Sequence, residues 1–145
     1  MSGNDFSGEI ICTGNEIISG RVADVNARYL AARLYESGLR VHSITMLGDA
    51  APLLRETLTR GLDRSRFIII TGGLGPTADD ITVAVAGDVL NLPLHQDEVL
   101  LQRLRDCFRE RGLPWEERFA RLALMPRGAC ILDPQASACG FYLRH

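Results

Sequence analysis

Residues 66–71, Arg-Phe-Ile-Ile-Ile-Thr, form a continuous β-branched run that halts at Gly72-Gly73-Leu74-Gly75. A run of that kind predicts a central strand covered on both faces. Such a strand must have neighbours, and the rest of the chain supplies them by alternation. Residues 8–14 (GEIICTG) are a short apolar run ending in glycine, and residues 40–49 (RVHSITMLGD) partly alternate, so both read as strands.

Between and after these runs the apolar period changes from 2 to 3.6. Ala27, Leu30, Ala31 and Leu34 fall on one stripe behind Asp24, which can cap the helix, and Gly38 stops it. Leu54, Leu58 and Leu62 line one face of a helix with Pro52 near its start. Residues 79–90 read as a further helix despite their β-branched members. Residues 97–112 read as another, with Leu100, Leu101, Leu104 and Phe108 on one side. A short helix near residues 114–124 and strands near 129–132 and 140–143 complete the order. Strands separated by helices predict an α/β fold, a three-layer, mostly parallel sheet with helices on both faces. With 145 residues and no linker or repeat, residues 1–145 read as a single domain.

Composition narrows the chemistry. All 16 basic residues are arginine, so a lysine-dependent phosphate loop and Schiff-base catalysis are both excluded. A net charge of −2 argues against a nucleic-acid or membrane partner. Cys12, Cys107, Cys130 and Cys139 form no metal-ligand spacing. With no export signal at the start, they predict reduced thiols in a cytoplasmic protein. The histidines His42, His95 and His145 share no metal spacing either.

In parallel sheets ligands gather at the carboxyl ends of the strands, which brings three loops into view: residues 14–20, 48–50 and 72–77. Gly72, Gly73 and Gly75 permit positive φ and close backbone approach, and a following helix start would favour an anion. An alternative reading of the same residues is structural: Thr77 as an N-cap, with Asp79 and Asp80 complementing the helix dipole. Asp24 and Asp49 likewise suit either capping or binding. Asn26 inside a helix and Glu16 in a short loop favour binding. Residues 73–78 also fit G-x-G-x-x-A, with Asp97 about 20 residues on, which keeps a nicotinamide-dependent oxidoreductase as a distant reading. Pro76 within the loop counts against it.

Four segments in register carry a family resemblance. TGGLGPTADDIT (71–82), GNEIISG (14–20), DVNARYLAARLYESG (24–38) and LGD (47–49) resemble the motifs of the molybdenum-cofactor biosynthesis domain, in its CinA (competence/damage-inducible) version. The resemblance runs from about Gly8 to Phe141. It implies a molybdopterin-binding-type fold and a phosphorylated pterin or nucleotide as ligand, with Gly72, Gly73, Gly75 and Thr77 cradling a phosphate. It further implies that Glu16, Asp24, Asn26, Asp49, Asp79 and Asp80 meet polar groups of the ligand or a cation, and that the chain forms a homo-oligomer, a dimer or trimer.

An alternative implied by the same resemblance is a metal-dependent ADP-ribose pyrophosphatase. There Asp80 and Asp49 would be the catalytic residues and the ligands of a divalent metal such as magnesium, and a bound water would attack. A divalent cation between carboxylates and phosphate would let Asp79 and Asp80 stand beside an anion.

Two segments depart from the family pattern. FARLA (119–123) stands where the family has N-x-K-Q-A, leaving Arg121 as the cation there. DPQASACGF (133–141) replaces N-P-x-G-T-A-P-G-F, with Ser137 keeping a threonine's hydroxyl. The amidohydrolase domain of complete CinA proteins is not within residues 1–145.

Overall fold

The computed structural model describes residues 6–133 and 140–144. Two compact units divide the chain, Met1–Gly73 and Leu74–His145.

In the first unit, strand β1 (Ser7–Thr13) is followed by a short helix α1 (Asn15–Ile18) and helix α2 (Asn26–Glu36). Then come strand β2 (Arg40–Leu47), helix α3 (Ala51–Arg64) and strand β3 (Phe67–Thr71). The three strands form one sheet in the order β2-β1-β3, and both pairings are parallel. Ile10 and Cys12 alternate onto one face, where they pack with Ala27 of α2. Glu9, on the opposite face, reaches Arg64 at the end of α3. Both faces of β1 are therefore covered, as an all-parallel sheet requires. Ile10, Ile11 and Cys12 are fully buried, and each of the two isoleucines contributes about 1.5–3 kcal/mol on transfer from water.

The centre of this sheet is β1, not the run 66–71 from which a central strand was expected. Strand β3 pairs only with β1 among the described residues, and its five residues are half-buried. Isoleucine content does not separate an edge from a centre, because one fully covered face is enough to select β-branched residues.

The second unit contains helix α4 (Thr82–Val89), strand β4 (Leu94–Gln96), helix α5 (Glu98–Glu110) and a 3-10 helix (Glu117–Ala123). Strands β5 (Leu124–Pro126), β6 (Cys130–Ile131) and β7 (Phe141–Tyr142) follow. Leu100, Leu101 and Leu104 of α5 pack with Ala123 and Met125, as their spacing predicted. Trp115 anchors an aromatic group, its ring 5.3 Å from Phe108 and 5.9 Å from Phe119. Strands β4 and β5 pair antiparallel, as do β6 and β7, in addition to the parallel three-stranded sheet of the first unit, which agrees with a mostly parallel expectation. The pair β4–β5 was not expected at all. Three residues between Pro93 and the helix cap Asp97 are too few to display a period.

Among the described residues no helix is long and apolar enough to cross a membrane.

Candidate functional site

At the carboxyl ends of β1 and β2, loop residues tie to each other. The N–H of Asn15 donates to Asp49 Oδ2 at 2.9 Å, and the N–H of Asp49 donates to Asn15 Oδ1 at 3.0 Å. Asp49 therefore joins two loops and does not cap α3, whose N-cap is Ala50 with no side-chain bond. Asp24 does behave as a cap: its Oδ1 accepts the N–H of Ala27 at 2.7 Å. The Cys12 thiol is pushed up from its ordinary pKa, chiefly by burial, with the Asp24 carboxylate adding to the rise. Cys12, fully buried against Ile10 and Ala27, packs as a core filler. Asn26 is the first residue of α2 and does not lie one turn inside it, so its cost to the helix is smaller than the sequence suggested.

Where β3 ends, Gly72 and Gly73 have φ of +92° and +63°. A Cβ at Gly72 would collide with the carbonyl oxygen of Thr13, so this glycine is demanded by backbone packing within the first unit.

The second unit holds the rest of the glycine turn. Asp80 Oδ2 accepts the Thr77 N–H at 2.8 Å and the Thr77 hydroxyl at 2.6 Å. Burial pushes the Asp80 carboxyl up, but the Thr77 hydroxyl, the N–H groups of Thr77 and Gly75 and the Arg121 charge outweigh it. The carboxyl is held below the ordinary range. Asp79 is exposed. Thr77 is not the cap of α4, which begins only at Thr82 behind Ile81 with no side-chain cap. The turn and the helix start are separate in sequence, so the anion-binding argument has to rest on the turn's own donors.

The acid assigned to a dinucleotide ribose is otherwise engaged. Asp97 Oδ1 accepts the Leu100 N–H at 2.8 Å as the N-cap of α5. Ser137, an expected ligand-loop residue, lies outside the described residues. A cavity of about 10 Å³ in this unit, bordered by Leu74, Val83, Leu100 and Arg121, has room for about one water.

A divalent cation does not fit what the described residues assemble. No group of three or more His, Cys, Asp or Glu side chains among them is placed to hold a metal. Asp49 and Asp80 each spend a carboxylate oxygen on a backbone N–H group.

Sequence reasoning missed two features. Asn15 was passed over because its role depends on β1 and β2 being neighbours, which sequence does not state. Glu9 is fully buried and accepts bonds from Arg64 Nε and Nη2, both at 2.7 Å, and from the Ser65 hydroxyl at 2.6 Å. An acid inside the apolar run 8–14 was the available signal.

Residues 9–145 match the family model described as "Probable molybdopterin binding domain". The chain belongs to this family. Within it the chain is of the CinA-like type: a CinA-like protein of Myxococcus xanthus is 35% identical over 131 residues, covering 90% of this chain. The chain spans 31% of that relative's length. Among solved structures, CinA of Thermoplasma acidophilum is 26% identical and superposes with a TM-score of 0.82, covering 96% of this chain and 82% of the other. The molybdopterin biosynthesis enzyme MoaB of Thermus thermophilus is 20% identical with a TM-score of 0.51, covering 81% of this chain and 70% of the other, a likeness of fold alone.

Proposed function

We propose that this CinA-like domain binds a phosphorylated pterin, of the molybdopterin kind, or a nucleotide at the glycine turn. One observation carries the reading. The turn already closes on an anion, because the Thr77 N–H and hydroxyl converge on a carboxylate with an arginine charge nearby. Donors so arranged suit a phosphate oxygen equally well, since both are oxyanions that accept short charge-assisted bonds. Family membership supplies the pterin.

In this reading Gly75 and Thr77 contribute the donors and Arg121 the counter-charge. Gly72, Gly73, Glu16, Asp24, Asn26, Asp49 and Asp79 are proposed as ligand residues on the family resemblance. Residues 1–145 would act as one domain, in the cytoplasm and as a homo-oligomer. The exposed Ile44 and Met46 on β2, each 46% accessible, support self-association, because β2 is an edge strand among the described residues.

The test is a titration of the isotopically labelled chain with ADP-ribose, following the amide resonances of Gly75 and Thr77. Saturable shifts at both are expected. No shift at either amide would overturn the reading. Assaying AMP release with and without magnesium in the same samples decides whether the bound ligand is also cleaved.

A further inference from the structure

Three loop glycines that would admit a ligand each admit an oxygen of this chain instead. A Cβ on Gly75 would lie 2.5 Å from Asp80 Oδ2 and 2.8 Å from its Cγ. A Cβ on Gly14 would lie 2.5 Å from Glu16 Oε1, and one on Gly48 2.7 Å from Asn15 Oδ1. Real Cβ atoms essentially never sit so close, so the space above Gly75 is occupied, and its occupant is the movable end of a carboxylate side chain.

We infer that Asp80 is an internal anion that occupies the phosphate position of the turn, so that a ligand phosphate binds only by displacing it. The inference rests on the proposed ligand site and says how that site is gated. The donors a phosphate would use are already engaged: the Thr77 N–H at 2.8 Å, the Thr77 hydroxyl at 2.6 Å and the N–H of Gly75. A phosphate added beside an ionised Asp80 would find these three donors already engaged and would meet a like charge. Once the carboxylate swings out, the same donors and the Arg121 charge receive the phosphate, and the exchange trades one oxyanion for another. No cation is required for an acid to stand in this turn. Asp80 is tolerated there because it is the turn's resident anion.

A carboxylate that competes with the ligand has the opposite mutational signature from one that contacts it. The probe is inorganic pyrophosphate, titrated into the labelled wild-type chain, Asp80→Asn and Asp80→Ala, with the Gly75 and Thr77 amides as reporters. Asp80→Ala should bind pyrophosphate at least about tenfold more tightly than wild type, and Asp80→Asn, which keeps an uncharged acceptor, should fall between them. Unchanged or weaker binding in both variants, with the remaining resonances native, would overturn the inference. Loss of native resonances around the turn in both variants would also overturn it, since Asp80 would then be only a structural tie. If ADP-ribose shifts the Gly75 and Thr77 amides of wild type while the variants bind pyrophosphate no better, the gate fails and the ligand site stands. If neither probe reaches the turn in any variant, both fail.

Discussion

Asn15 and Asp49 hold each other reciprocally, each side-chain oxygen accepting the other's backbone N–H, at 2.9 and 3.0 Å. The loop after β1 and the loop after β2 are thereby one object. A cation ligand would have to break this tie or share it, whereas a structural tie predicts coupling. Asn15→Ala and Asp49→Ala should each cost about 1 kcal/mol, because the bonds are solvent-exposed and water can replace them. The double variant should cost less than the sum by about 0.5 kcal/mol or more. Urea unfolding of the four proteins measures this, and strict additivity would refute the tie.

The Asp97 carboxylate separates a helix cap from a ribose contact. Asp97→Ala should lower stability by about 1 kcal/mol, and Asp97→Ser should recover most of that, because serine caps nearly as well. Neither change should alter binding of ADP-ribose. A fall in affinity with unchanged stability would restore the ribose reading.

Both predictions bear on what the sequence could disclose. Helical stripes survived intact: Leu100, Leu101 and Leu104 are buried as their spacing demands. Long periodic elements are legible because many residues vote on one phase. Sheet order was not legible, because Phe67–Thr71 and Ser7–Thr13 are both apolar and only pairing shows which is central. The glycine turn was legible as a turn but not in its contents. That Asp80 and not Thr77 is the acceptor depends on α4 starting at Thr82, and helix starts shift by a few residues without any change of pattern.

Glycine at residue 72 is required for two reasons that can be separated. Its φ is +92°, and a Cβ would strike the Thr13 carbonyl. Gly20 has a φ of +71° with nothing within 4 Å of the Cβ position. Gly20→Ala should therefore show the conformational cost alone, about 1 kcal/mol, and Gly72→Ala that cost plus a steric term, roughly 3 kcal/mol or more in all. Thermal unfolding of the two variants compares them. Equal losses would mean that β1 and the start of the turn can part at no cost.

Glu9 makes the first unit sensitive to acid. The Arg64 hydrogen bond outweighs the effect of burial and, with Ser65, holds the carboxyl below the usual 4.5. A depressed folded-state pKa means stability that is fully present above about 4.5 and is lost as pH falls through the lower, folded value. The two partners are unequal. Glu9 is fully buried, whereas the Arg64 side chain is 55% accessible and can return to water. Removing the arginine strands a buried charge on Ser65, with His42 Nε2 3.9 Å away, and should cost about 3 kcal/mol. Glu9→Gln leaves an exposed arginine and a neutral amide that still accepts from Ser65, so it should cost less, about 2 kcal/mol after that relief. Glu9→Gln should also flatten the fall in unfolding free energy as pH drops below about 4.5 toward the lowered folded-state value. Unfolding of wild type, Glu9→Gln and Arg64→Ala across that range decides it. A glutamine variant as acid-labile as wild type would place the acid response elsewhere than in this pair.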